Sequence, residues 1–219
     1  MKKGFFSCVA IATLMVFLSA GSVFAAENSN TGFYVGVSGG YVIPQSMTFS
    51  DPDSGTRNAD VDLKNGYLFG LTGGYIVPST KRIMAVEIEY NYIFGTNLDK
   101  DETGSSLDGD VSMHALLFNV KARYPEGRFH PYAGFGLGWS FVEVGDIKSG
   151  GYVASGQSGN AFCWQFLAGL DYDINPNLAV GLGYKYFATK PTIGSSGDDL
   201  YSEADYKASI VTIGLTYAF

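Results

Sequence analysis

An all-β fold, an eight-stranded antiparallel up-and-down transmembrane β-barrel, is predicted by three features of this 219-residue chain. Eight segments alternate large apolar residues with glycine, small or charged ones, the connections between them alternate short and long, and the final segment SIVTIGLTYAF keeps its alternation up to Phe219. Alternation with period two marks a strand with two unlike faces. Chain ends usually fray, so a terminus this apolar needs a core or a lipid surface to rest on.

The other end reads differently. MKKGFFSCVAIATLMVFLSAGSVFAAENSN has a basic start at Lys2 and Lys3, an apolar run from Val9 to Leu18, and small residues up to Ala25 and Ala26, the layout of a cleavable secretory signal. The run is too short for a membrane-spanning helix. Residues 1–25 are therefore expected to be a signal peptide, cut after Ala25 or Ala26, and residues 26–219 a single barrel domain. Cys8 lies before the apolar run is complete, which argues against acylation there.

Composition narrows the function classes. Loss of residues 1–25 removes Lys2 and Lys3 and no acid, taking the formal net charge from −7 to −9. So acidic a chain is a poor partner for nucleic acid, whose phosphates require clustered Lys and Arg. Cys163 is the one cysteine that survives processing, so no internal disulfide can form. The 29 Gly, 15 Tyr and 16 Phe favour strands with aromatics on one face and minimal side chains on the other. Beyond the signal no apolar stretch reaches the length of a membrane helix, so a bilayer could be crossed only by a closed barrel.

The strands can be justified in order. Phe33, Val35, Val37, Tyr41 and Ile43 oppose Gly36, Ser38 and Gly40; Phe69, Leu71, Tyr75 and Val77 oppose Gly70, Thr72 and Gly74. Val86, Ile88, Tyr90, Tyr92 and Phe94 oppose Glu87, Glu89 and Asn91, and Leu116, Phe118, Val120, Ala122 and Tyr124 oppose Asn119, Lys121 and Arg123. Ala133, Phe135, Leu137, Trp139 and Phe141 oppose Gly134, Gly136, Gly138 and Ser140. Phe162, Trp164, Phe166, Leu170 and Tyr172 oppose Gln165, Gly169, Asp171 and Asp173; Val180, Leu182, Tyr184 and Tyr186 oppose Gly181, Gly183 and Lys185. Val211, Ile213, Leu215, Tyr217 and Phe219 oppose Thr212, Gly214 and Thr216 in the last strand.

Each strand thus has one continuously apolar face and one that mixes glycine with charge. A soluble sandwich would turn a well-hydrated face to water, and this one is too rich in glycine for that. The pattern fits apolar-out, polar-in packing in lipid. Aromatics near the strand ends form two interfacial girdles, with Phe33, Tyr75, Tyr124, Tyr172, Tyr217 and Phe219 at one end and Tyr67, Tyr92, Phe94, Trp139, Trp164 and Tyr186 toward the other. Short turns at 78–82, 125–130 and 175–177 alternate with long loops around 44–64, 95–111, 143–160 and 188–206. Short turns belong on the periplasmic side and long loops outside, which puts both ends of the barrel in the periplasm.

The stretches GFYVGVSGGY, GLTGGYIVPSTKRIMAVEIEYNY, NVKARYPEGRFHPYAGFGLGW, FLAGLDYDINPNLAVGLGYKY and TIGLTYAF together resemble the small outer-membrane barrels of the OmpA-like, OmpX-like and opacity-protein group. They cover the eight strands and none of the long loops. The resemblance implies a bacterial outer-membrane location, reached by secretion through the inner membrane, and makes Ile213, Leu215, Tyr217 and Phe219 similar to the signal read by the barrel-insertion machinery. It also implies interior charges, which fall on Glu87, Lys121 and Asp171. An interior Arg expected on the seventh strand is replaced by Gly181, with Lys185 further along.

The inward charges Glu87, Glu89, Lys121, Arg123, Asp171, Asp173 and Lys185 are expected to neutralise one another and plug the lumen, because an eight-stranded barrel is about wide enough for its own side chains. Asp99, Asp101, Thr103, Gly104 and Asp110 have the spacing of a calcium loop, but without its closing Glu or flanking helices a solvated acidic loop is expected and no metal site. The acids Asp198, Asp199, Glu203 and Asp205 could at most gather ions weakly. Ser112 and His114, outward near the external end of the fourth strand, fall where lipid A deacylase barrels keep such a pair, but no acidic third member is evident. His130 reads as a turn residue, Cys163 as a small inward packing residue, and the glycines of Gly134 to Gly138 as part of a strand rather than a nucleotide loop.

The expected function is a non-enzymatic outer-membrane surface protein of a Gram-negative envelope, without cofactor, in an adhesive or structural role. Its expected partners are outer-membrane lipid and lipopolysaccharide, the assembly machinery during biogenesis and an external ligand at the loops, and it is expected to be a monomer. A narrow porin-like channel for ions or small solutes is the alternative, and a lipid A-modifying enzyme a more distant one.

Overall fold

The computed structural model describes residues 32–45, 47–50, 57–100, 110–145, 147–149, 152–154, 157–190, 192–194 and 201–219. Eight long strands form the wall: β1 (Phe33–Pro44), β2 (Gly66–Ile76), β3 (Met84–Lys100), β4 (Asp110–Arg123), β5 (Phe129–Val144), β6 (Gln157–Asp173), β7 (Leu178–Thr189) and β8 (Tyr201–Ala218). Every strand pairs antiparallel with its neighbour in sequence, and β8 returns to β1 with Tyr34 opposite Ala218 and Pro44 opposite Ala208. Closure removes the sheet edges, so every wall strand has a hydrogen-bonded neighbour on both sides, as a strand in lipid requires.

The faces divide as the alternation predicts. Leu116, Phe118, Leu137, Trp139, Phe166, Leu182 and Ile213 stand exposed on the outside, while Glu87, Glu89, Asn119, Gln165 and Lys185 are buried inside. Outside, aromatic pairs gather at both ends. Phe33 lies 4.6 Å from Tyr75, Phe129 4.9 Å from Tyr172 and Tyr217 5.3 Å from Phe219 at the end that carries the short turns. Tyr41, Tyr67, Phe94, Tyr92 and His114 form a continuous row at the other end, with ring separations from 4.6 to 6.1 Å.

The inner face differs from the sequence reading in one respect. It is not glycine and charge throughout. Toward the long-loop end Val42, Leu68, Ile93, Met113, Leu117, Val142, Phe187 and Ile210 meet in one buried apolar cluster, with Cys163 fully buried among them. Among the described residues, inward charge is confined to the half nearer the short turns. The inner face near the long-loop ends is thus mainly apolar, with Asn91 and the hydrogen-bonded Ser140–Thr189 pair buried among the apolar groups, and side chains fill the barrel there.

The long connections also carry more structure than expected. β3 runs out to Lys100 and β8 begins at Tyr201, and the first loop contributes strands Met47–Ser50 and Arg57–Leu63. The first of these pairs with β8 and the second with β3, so this hairpin continues the wall above the shorter β1 and β2. A second small hairpin, Ile147–Ser149 with Tyr152–Ala154, lies between β5 and β6, and Thr192–Gly194 pairs with β8. The first-loop strands and Thr192–Gly194 pair with the barrel rim, which sequence spacing does not show, whereas the Ile147–Ala154 hairpin pairs only with itself.

Inward glycines make room for large inward side chains. At Gly74 an added Cβ would lie 2.2 Å from the Tyr34 ring, and at Gly169 it would lie 2.5 Å from the Tyr132 hydroxyl. These two tyrosines lie across the glycine stripes of β2 and β6, which explains why the polar face is so poor in side chains of its own.

Candidate functional site: the polar half of the lumen

Two ion-pair layers occupy the half nearer the short turns. In the first, Lys121 Nζ on β4 lies 2.5 Å from Glu87 Oε1 on β3, and the Tyr34 hydroxyl donates to the same oxygen at 2.6 Å. The Lys121 ammonium also stands 4.5 Å from the centre of the Tyr132 ring, close enough for a cation–π contact. In the second, Lys185 on β7 donates to Glu89 Oε1 on β3. The other Glu89 oxygen accepts from Asn119 Nδ2 at 3.0 Å and Gln165 Nε2 at 2.7 Å, and Gln165 also donates to Asn119 Oδ1 at 2.8 Å. Strands β3, β4, β6 and β7 all contribute, so this layer spans the lumen.

Of the remaining inward charges, Asp173 belongs to a different group. His130, expected in a turn, is instead buried on β5. Its Nε2 faces Asp173 Oδ2 at 2.9 Å and its Nδ1 faces the Tyr124 carbonyl at 2.8 Å. Both partners are acceptors, so the ring serves both only by donating from each nitrogen. This contact ties the β4–β5 turn to the end of β6 at the short-turn rim. Asp171, opposite His130 in register, and Arg123, opposite Tyr132, both line the same cavity.

That cavity has a volume of about 170 Å³ and reaches from the rim residues Pro176 and Asn177 up to Glu89 and Lys185. Asn119 lines its upper part, with Gln165 hydrogen-bonded beside it, and the apolar cluster follows. An ion crossing that stretch would exchange its water for buried side chains that are mostly apolar, Asn91, Ser140 and Thr189 excepted, at an effective cost of several kcal/mol for each charge. The chemistry of the site is therefore charge pairing, beside a polar cavity that opens toward the short turns. If Glu87 and Lys121 act as a pair, Glu87→Lys and Lys121→Glu should each destabilise the barrel and the double swap should recover part of the loss. Denaturant titration of the three variants checks this; a double swap no better than either single change would contradict it.

The outward Ser112 and His114 are placed on β4 as expected. The register adds what sequence spacing could not show, with Glu143 of β5 directly opposite Ser112 and within electrostatic reach of His114. An acidic neighbour is therefore present. The Tyr90 hydroxyl, however, is 2.6 Å from His114 Nδ1, and the ring stacks on Tyr92. Where Tyr90 donates to Nδ1, a neutral ring carries its proton on Nε2 and has no nitrogen left to take one from Ser112; in the other tautomer Nδ1 donates to the Tyr90 oxygen and Nε2 is unprotonated. Asp205 is held by Lys207 at 3.1 Å and by Lys190 at 3.8 Å. Asp198 and Asp199, the side chain of Glu203 and most of the calcium-like loop lie outside the described residues. Among the described residues no group of three His, Cys, Asp or Glu side chains is arranged to hold a metal.

A closed antiparallel meander with an apolar, aromatic-rimmed exterior and paired charges inside defines an integral outer-membrane β-barrel. The chain belongs to the outer membrane protein beta-barrel domain family, whose model matches residues 10–219. Among solved structures it is similar to OprG of Pseudomonas aeruginosa, with 16% identity, a TM-score of 0.55 and coverage of 86% of this chain and 96% of that one. It is also similar to Neisserial surface protein A, with 15% identity, a TM-score of 0.52 and coverage of 86% and 97%, and to the Escherichia coli outer membrane protease OmpT, with 9% identity, a TM-score of 0.50 and coverage of 90% and 99%. Likeness at such identities concerns the fold, which hosts unlike activities. No curated protein matches the sequence.

Proposed function

We propose that the protein is a non-enzymatic outer-membrane surface barrel that works through its external loops, in adhesion or in support of the envelope. The observation that carries this reading is the filled outer half of the lumen, where the buried apolar cluster lies directly above the Glu89–Lys185 layer. With the lumen filled, the loops that join β1 to β2, β3 to β4, β5 to β6 and β7 to β8 are the surface open to the outside. Lipid and lipopolysaccharide are the surroundings of the exposed apolar belt, and Ile213, Leu215, Tyr217 and Phe219 are the segment offered to the assembly machinery. The barrel acts as a monomer.

The test is to shorten each external loop in turn to a tight hairpin. Each variant is confirmed as folded by its heat-modifiable gel mobility. Cells displaying it are then compared for attachment to host surfaces and for resistance to detergent. Loss of either property on shortening a loop supports the reading; if every shortened barrel behaves as the parent does, the loops are not the working surface. The periplasmic cavity favours a second reading, a narrow channel for small solutes, which requires a path through the apolar cluster.

A further inference from the structure

We propose that the periplasm-facing cavity binds a small zwitterion with the size and charges of an α-amino acid, its carboxylate held by Arg123 and its ammonium group by Asp171. This goes beyond the loop-centred reading and does not depend on it.

The argument starts from which charges in the cavity are already satisfied. Glu87 is engaged by Lys121 and Tyr34, Glu89 by Lys185, Asn119 and Gln165, and Asp173 by His130. Arg123 and Asp171 differ. Among the described residues neither side chain makes a hydrogen bond or an ion pair, although Asp171 lies in the field of Lys121, which Glu87 already engages, and then of Arg123, and both line the cavity. Two opposite charges, partly withdrawn from water and too far apart to pair, call for a bridging group that carries both signs.

The rest of the lining selects the class of ligand. A simple anion entering here would meet the carboxylates of Glu87, Glu89, Asp171 and Asp173, and a simple cation would meet Arg82, Lys121, Arg123 and Lys185. A dipolar molecule of zero net charge avoids both penalties and satisfies both open groups. The volume of about 170 Å³ suits a handful of non-hydrogen atoms rather than a peptide or a sugar chain. Asp171 is also placed for the role by Gly181 on β7. Asp171 Oδ1 lies 2.4 Å from where a Cβ at that position would stand, so the absence of a side chain there lets the carboxylate lean over β7.

The experiment is a titration of the refolded 15N-labelled mature chain in micelles with L-alanine, followed by amide shifts on β4 and β6. Saturable shifts near Arg123 and Asp171 are expected, with a dissociation constant on the order of millimolar, as suits so small a ligand. Arg123→Gln and Asp171→Asn should each weaken binding by about tenfold or more, as loss of one charged hydrogen-bond partner does. Propionate and ethylammonium, which carry one charge each, should bind at least about tenfold more weakly than alanine. Gly181→Arg provides a variant that keeps both ligand-binding residues. Its Cβ would push aside the Asp171 carboxylate, a side chain free to turn, and its guanidinium would enter the cavity, so a barrel whose amide spectrum shows it folded should lose the alanine shifts. Absence of saturable shifts, equal binding by the two single-charge probes, or alanine binding unaltered in these variants would overturn the proposal.

Discussion

Replacement of Glu89 by alanine should destabilise the barrel by about 3–5 kcal/mol, the cost of leaving a buried charge without its counterion. Glu89 and Lys185 are 4% and 8% exposed, and Glu89 also receives the amides of Asn119 and Gln165. Loss of this one carboxylate strands the Lys185 ammonium and two amide donors at once. The apolar cluster above offers Lys185 no charged acceptor. The paired substitution Glu89→Gln with Lys185→Met removes both charges, keeps volume, and should recover most of the loss, because buried ion pairs often give no net stability over an uncharged pair. Urea titration of the refolded variants in lipid vesicles, followed by tryptophan emission, reads both effects. A Glu89→Ala barrel within about 1 kcal/mol of the parent would show that the layer is not a single cross-lumen unit.

Gly138→Val should cost about 1–3 kcal/mol or prevent folding, as overpacking without room to relax does. A Cβ at this position would lie 2.0 Å from the Leu116 carbonyl oxygen and 2.7 Å from the Leu117 Cα. Both are backbone atoms of β4, so no rotamer change can clear them. Strands β4 and β5 would have to separate along a register that runs from Val111–Val144 to Arg123–Tyr132. Gly39 is the matching control, since a Cβ there meets nothing within 4 Å. Gly39→Ala should leave stability unchanged, and the loss of backbone freedom in the unfolded chain acts in its favour. The fraction of each variant that reaches the heat-modifiable folded form measures the contrast. Equal folding of Gly138→Val and Gly39→Ala would mean that the wall yields far more than its close packing implies.

The wall was legible in the sequence because its rules are local. Period two assigns Phe118 and Lys121 to opposite faces without knowledge of any other strand, and the short turn after Val77 fixes the hairpin that follows. Connections of alternating length then set the orientation. What joins the strands across the lumen was not legible. Lys185 and Glu89 are 96 residues apart, and Gln165 and Glu89 are 76 apart, so no sequence window contains both partners. His130 looked like a turn residue beside Pro131 because its partner Asp173 lies 43 residues on. Glu143 was not matched to Ser112 for the same reason: its position depends on the β4–β5 register. The division of the inner face into a charged half and an apolar half was present in the residues, as in Val42, Leu68 and Phe187. It became visible only when the strands were aligned at a common height.

The filled lumen is the claim on which the functional reading rests, and conductance tests it most directly. The refolded mature chain, placed in planar bilayers beside Glu87→Ala and Lys121→Ala, should give a silent membrane in all three cases, with the apolar cluster of Val42, Ile93, Met113 and Phe187 barring ions whatever the charges below it do. Steady unit currents in the parent, altered by either substitution, would contradict the account and make passage through the barrel its function.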